Sequence, residues 1–291
     1  MGFSTRQSHV ESNSLRTRFA SIDVEPLTPH IGAEVRGVNL SAPLSNEQAR
    51  DVSDAWLDWK VLVFRDQALS REEHKAFARR FGKLHVHPMQ HLYDGDPEVL
   101  IVKTTKDSAY TSGDGWHTDV TCEEYPPLGS MLYVTETPST GGDTLFANMY
   151  LAYELLSDPV KKFIGELEAV HDGKIPYVGS YKTKEPKGGY PRNAHPVVVT
   201  HPETRQKLLY VNQGFTSHLV GLRRNESKAI LSMLYNHINS TPRLWCRVEW
   251  KPNTLTFWDN RCTQHHAVWD YHPESRYGER VSIVGEERPH A

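Results

Sequence analysis

The sequence predicts a mostly β fold with flanking helices, a double-stranded β-helix or jelly roll. Short alternating or continuously apolar runs recur through the middle and end of the chain, the pattern of half-buried and buried strands. Glycines and prolines break the chain between those runs, so the connections read as turns. Helical signals stand early or between strands, without the regular strand–helix alternation that demands a parallel sheet. Strands of this kind close best as antiparallel sheets facing each other, with helices packed outside.

Residues 1–18 are polar and aperiodic and read as a mobile tail. Residues 19–291 read as a single domain. SIDVEPL, from Ser21, and IGAEVRGVNL alternate, with Gly32 and Gly37 as punctuation, and are expected to be short strands. Ser45 and Gln48 form a capping-box pattern that opens a helix to about Lys60. KVLVFRDQ follows as a buried strand. Ser70 and Glu73 repeat the box and open a helix carrying His74, Phe77 and Ala78 to about Phe81.

Beyond Gly82, LHVHP, EVLIVKT, SMLYVTET and DTLFANM read as strands, broken by Pro126, Pro127, Pro138, Gly141 and Gly142. Residues 150–169 read as one or two helices, with Pro159 in the first turn after Ser157. Residues 172–196 have no period; a loop of that length inside a compact domain is expected to be functional, such as a lid. HPVVVTHPETRQKLLYVNQGF reads as a hairpin, and Asn225 is expected to cap a helix to about Asn239. RLWCRVEW, TLTFWDN and ERVSIVGEE complete the strands.

Composition narrows the function. The net charge of −3 leaves no excess of positive charge to hold a polyphosphate backbone, so nucleic acid is not expected as the main partner. No apolar run approaches the roughly 18–20 residues that span a bilayer, and no membrane partner is expected. The first residues lack the apolar stretch of a signal peptide. Cys122, Cys246 and Cys262 form no CxxC pair and leave an odd thiol, which suits a reducing cytoplasm. The 16 histidines and 7 tryptophans are the unusual feature, and they direct attention to metal or acid–base sites.

His117 and Asp119 stand in Trp116-His117-Thr118-Asp119. On an extended chain they project to one face and can offer an imidazole and a carboxylate to a common point. A second histidine from another strand would complete two histidines and one carboxylate, a facial set that leaves positions open and suits Fe(II). The spacing alone is weak. A chain of this composition gives His-x-acid about twice by chance, and it occurs four times, at His9, His117, His201 and His272. On spacing alone, a surface His–Asp hydrogen bond is the better explanation of such a pair. Context favours His117: His9 lies in the tail, His201 and His272 in turn signals, and only His117 precedes a strand-rich body with many later histidines.

WHTD, PSTGGDTLF (138–146), HPVVVTHP (195–202) and WDNRCTQHHA (258–267) together resemble the corresponding segments of the taurine dioxygenase family, which also contains alkylsulfatase and aryloxyalkanoate dioxygenases. The likeness runs in order from about Ile22 to Arg288. It implies an Fe(II)- and 2-oxoglutarate-dependent oxygenase that uses O₂ on a jelly-roll core. Carried over, His117 and Asp119 match the first ligand pair and His265 the distal ligand. His266 is the rival, and strand parity lets only one of the two face the iron.

The resemblance further implies that Arg276 pairs with the far carboxylate of 2-oxoglutarate and that Thr144 hydrogen-bonds it. Arg280 and His87 match groups that hold the anionic head of the prime substrate. Gln90 stands where taurine enzymes have a tyrosine, and Gly113 where they have an asparagine, so recognition of taurine's amine is weakened. The implied substrate is a small anion, a sulfonate or sulfate ester ahead of a carboxylate such as an aryloxyalkanoate. Hydroxylation beside the anionic group would be coupled to release of succinate and CO₂. Trp116 and Trp258 are expected to pack beneath the ligands or in the core. Family members commonly assemble as dimers or tetramers. Competing readings are a zinc hydrolase on the same ligands, a non-catalytic jelly-roll module, and a nucleophilic enzyme using Cys262 near His265.

Overall fold

The computed structural model describes residues 19–90 and 95–291, so the expected tail at 1–18 lies outside the described residues. The first elements follow the local signals. Strands β1 (Asp23–Pro26) and β2 (Ala33–Arg36) pair as an antiparallel hairpin. Ser45 caps helix α1 (Asn46–Trp59), with both capping-box bonds present. Strand β3 (Val61–Phe64) is buried along its whole length. Ser70 caps α2 (Arg71–Ala78) in the same way, and the helix stops short of Phe81.

The remaining strands are β4 (Leu100–Thr104), β5 (Gly129–Glu136), β6 (Thr144–Asn148), β7 (Glu168–Asp172), β8 (Arg192–Pro196), β9 (Val198–Thr200), β10 (Lys207–Leu209), β11 (Thr216–Leu219), β12 (Trp245–Val248), β13 (Thr254–Asp259), β14 (Thr263–Ala267) and β15 (Arg276–Ile283). Helices α3 (Met149–Glu154) and α4 (Asp158–Ile164) follow β6, and α5 (Arg224–Asn239) follows β11. A seven-stranded sheet runs β1-β2-β3-β13-β5-β15-β4, and a three-stranded sheet runs β12-β6-β14. Val61, Val63, Leu132, Val134 and Trp258 of the large sheet pack with Phe146, Cys246 and Val248 of the small one. The opposite face of the large sheet, with Met131, Phe257, Val281 and Ile283, is covered by Trp56 of α1 and Phe77 of α2.

Several expectations need correction. LHVHP is not a strand: Leu84 makes only an isolated bridge to Ile283. The chain then turns, the Met89 N–H donating to the His87 ring and the Gln90 N–H to the His87 carbonyl. The sheet is not wholly antiparallel, because β2 and β3 run parallel with α1 between them. A single strand–helix–strand unit does not show as alternation in a chain otherwise rich in turns. Asn225 lies inside α5; the helix is capped at Arg223, whose N–H donates to Glu226. Residues 172–196 are not structureless. They hold a π-helical turn, Ile175–Ser180, and β8, which pairs with β7.

Candidate active site

Strand register brings the predicted residues together. On the β6–β14 pair, His265 lies opposite Phe146 and Ala267 opposite Thr144. Alternate residues share a face, and these residues all line one cavity of about 340 Å³. On β15, Arg276 and Arg280 face that cavity while Val281 and Ile283 pack under the helices. His117 is not on a strand of its own. It forms an isolated bridge with His265, each N–H donating to the other's carbonyl at 3.0 and 2.8 Å.

The ligating atoms of His117, Asp119 and His265 lie within 4.8 Å of one another, and all three residues are buried. Nε2 of each histidine is 3.9 Å from Asp119 Oδ1. His117 Nδ1 donates to the Gly115 carbonyl at 2.8 Å, so the neutral ring turns its Nε2 lone pair toward the carboxylate. Burial pushes the pKa of both histidines down, which keeps each ring neutral with one nitrogen unprotonated. Burial alone would raise Asp119; the Arg280 guanidinium above all, with the neighbouring His265 and His117 rings, outweighs it and holds the carboxyl well below the usual range. Acceptors converging on one buried point fit a cation, and this donor set fits iron with open positions.

Asp119 is held from several sides. Ser130 donates to Oδ2 at 3.1 Å, and Arg280 Nη1 lies 2.6 Å from Oδ1. Trp258 and Phe146 flank the His265 ring at 5.0 and 5.8 Å. His266 points the other way and pairs with Asp114 at 3.0 Å. Trp116 packs against Trp245 and His266, whereas Trp258 lies against the His265 ring.

Arg276 is 3% exposed and its guanidinium stacks over Trp250 at 5.1 Å. Trp250 Nε1 donates to Thr144 Oγ1 at 3.0 Å, which leaves the threonine proton free to donate. Arg276 Nε is buried with no acceptor among the described residues. A guanidinium and a hydroxyl side by side form a socket for a carboxylate. His87 also lines the cavity, but Gln90 does not: the turn puts Met89 on the wall. Gly113 lines it too, its N–H donating to the Tyr181 hydroxyl at 3.0 Å.

Sequence reasoning missed Tyr177 and Tyr181, which enter the cavity wall from the segment expected to be a lid. Their four-residue spacing, within and just after the π-helical turn, was the available signal. It also missed Asn260, which bonds the Asp119 backbone. Cys262, the alternative nucleophile, is buried outside the cavity wall, and burial pushes its thiol well up. It is not an activated thiolate.

The fold brings two histidines and one carboxylate to a point that could hold a metal ion, in the same cavity as a buried arginine and a threonine hydroxyl. The family model for "Taurine catabolism dioxygenase TauD, TfdA family" matches residues 23–282, and the chain belongs to that family. An "Alpha-ketoglutarate-dependent sulfonate dioxygenase" of Saccharomyces cerevisiae is 35% identical over 91% of this chain and 67% of its own length. An "Alkylsulfatase" of Acinetobacter baylyi is 35% identical over 91% of this chain and 86% of its own. The crystal structure of a "Putative Alpha-ketoglutarate-dependent Taurine Dioxygenase" from Burkholderia xenovorans superposes with a TM-score of 0.81 at 35% identity, covering 92% of this chain and 94% of that one. Fe(II) is the metal, with 2-oxoglutarate and O₂ as cosubstrates.

Proposed function

We propose that this protein hydroxylates a small anionic substrate, a sulfonate or sulfate ester ahead of an aryloxyalkanoate-like carboxylate, at the carbon beside the anionic group. The observation that carries the reading is the arrangement of two separate arginines, Arg276 and Arg280, around one cavity that also holds His117, Asp119 and His265. A reaction joining one metal, one dicarboxylate and one further anion needs such a cavity. The two facing sheets support a jelly-roll core, and the family match supports one catalytic domain over residues 19–291.

In this reading His117, Asp119 and His265 hold the iron. Bound iron and 2-oxoglutarate supply the activation of O₂ that yields succinate, CO₂ and a hydroxylated product. Arg276 and Thr144 hold the far carboxylate of the cosubstrate, so its keto acid end meets the ligands. Arg280 and His87 receive the substrate anion and turn its neighbouring carbon toward the metal. Leu132, Val102, Phe146 and Trp258 line the cavity and exclude water. A product hydroxylated beside sulfonate or ester oxygen breaks down to an aldehyde with sulfite or sulfate leaving.

Three free, buried cysteines support a reducing compartment. Among the described residues, no helix is long and apolar enough to cross a membrane.

The test is anaerobic titration with Fe(II) and 2-oxoglutarate, followed by succinate release on a panel of sulfonates, sulfate esters and aryloxy acids. Succinate release that depends on one of these anions, and is abolished by His117→Ala or His265→Ala, supports the reading. Turnover that persists in both variants overturns it.

A further inference from the structure

The sulfonate and the carboxylate differ in one respect that the cavity can read. A sulfonate or sulfate head presents three outward oxygens, and a carboxylate presents two. Each of those oxygens accepts more than one hydrogen bond, so the direction of the donors, not their number, separates the two: donors arriving from three sides suit a tetrahedral head and meet a planar one poorly.

Arg280 supplies the charge, and its Nε is buried with no acceptor among the described residues. His87 supplies the second donor. Its Nδ1 accepts the Met89 N–H at 3.2 Å, so the ring carries its proton on Nε2. The Tyr177 hydroxyl lies 3.5 Å from that Nε2, at the outer limit of a hydrogen bond. At that separation neither proton is committed to the other group, so the His87 Nε2–H and the Tyr177 O–H are both available to an anion in the cavity. Tyr177 is 2% exposed and lines the cavity with His87 and Arg280. Its ring is held against Tyr190 at 4.6 Å, edge-on to Phe215 at 5.9 Å and edge-on to His87 at 5.6 Å. The position of the hydroxyl is thus set by packing, before any substrate arrives.

We propose that Tyr177 is a specificity-determining residue: with His87 and Arg280 it forms a three-donor socket that selects sulfonate and sulfate heads over carboxylates. The proposal rests on the anionic-substrate reading above and adds a residue and a direction of selectivity to it. A planar carboxylate aligned with Arg280 and His87 offers the phenol proton a poorly directed lone pair, whereas the third oxygen of a tetrahedral head can meet it in line.

The experiment is calorimetric binding of hexanesulfonate and of chain-matched heptanoate to the full chain loaded anaerobically with Mn(II) and 2-oxoglutarate, so that no turnover is needed. The parent protein is expected to bind the sulfonate at least about tenfold more tightly, the effect of one hydrogen bond to a charged acceptor. Tyr177→Phe keeps the packed ring and loses only the hydroxyl. It is expected to lose roughly tenfold for hexanesulfonate and less than about twofold for heptanoate. Equal affinities in the parent, or a variant indistinguishable from it, overturn the three-donor socket and leave the oxygenase reading standing. Failure of both anions to bind a parent that still binds 2-oxoglutarate overturns the anionic-substrate reading, and the socket with it.

Discussion

Asn260 closes both backbone groups of Asp119 with one carboxamide. Its Oδ1 accepts the Asp119 N–H at 2.9 Å, and its Nδ2 donates to the Asp119 carbonyl at 2.9 Å and to Pro127 at 2.8 Å. The next residue, Val120, has φ of +51°, a left-handed conformation that a β-branched side chain resists. Such strain costs on the order of 1–3 kcal/mol and persists only where neighbours over-determine it. Asn260 is the neighbour that does so. Asn260→Ala is expected to weaken Mn(II) or Fe(II) binding by roughly 10–100-fold, as loss of a group supporting a ligand does, and to cost about 1–3 kcal/mol in stability. Metal titration and chemical unfolding measure the two effects. An unchanged metal affinity would show that the clamp has no part in placing Asp119.

The two arginines of β15 should separate kinetically. Arg276→Ala is expected to raise the KM for 2-oxoglutarate by roughly 10–100-fold, the loss of a charge-assisted pair, with little change for the prime substrate. Arg280→Ala should do the reverse. Trp250→Phe removes the donor that turns the Thr144 proton outward. It should raise the 2-oxoglutarate KM several-fold, about what one neutral hydrogen bond supplies. Steady-state kinetics with each substrate varied in turn decides this. Exchange of the two arginine phenotypes would show that their sockets have been assigned the wrong way round.

What the sequence revealed and what it hid follow from the range of the interactions. The capping boxes at Ser45 and Ser70 are local and were legible. On β15 the alternation of a strand separates Arg280 from Val281. The choice of His265 over His266 also followed from parity, and the outward pairing of His266 with Asp114 agrees. His117 and Asp119 were read as strand neighbours. They reach one point instead through a bridge to His265 and the turn at Val120, which depends on Asn260 far along the chain. Met89 in place of Gln90 is a matter of one turn, formed when the His87 ring accepts a backbone N–H. The strands β7, β8 and β11 were hidden because each is short and finds its partner only across long insertions.

His74 makes stability depend on pH at a distance from the site. Burial pushes its pKa down from 6.5 to about 4, more than nearby Glu279 restores. Its contribution is complete above about pH 6.5. Between those values the unfolded chain binds a proton that the folded protein does not. Stability therefore falls as pH is lowered through that window and levels off below the folded value. At about pH 5 the loss from this group is roughly 2 kcal/mol. His74→Leu removes it, so the variant's unfolding free energy should change less than the parent's between about pH 7 and pH 5, by that amount. Parallel urea unfolding curves for the two proteins at both pH values would count against it.

Gly113 backs onto the His117 ring so closely that a side chain there would press on it. Its φ is +85°, and a Cβ built there would stand 3.0 Å from His117 Cε1. Two costs are therefore combined in Gly113→Ala: left-handed backbone strain of about 1–2 kcal/mol and pressure on a ligand ring. Asparagine separates them, because it tolerates positive φ but carries the same Cβ. Gly113→Ala is expected to lose both stability and metal affinity. Gly113→Asn, which places here the residue that taurine enzymes have, should recover most of the stability and only part of the metal affinity, the imidazole being displaced in both. Thermal unfolding without metal reads the first cost and Mn(II) titration the second. If asparagine restores the affinity in full, His117 yields to the added atom at no cost, and the glycine serves the turn alone.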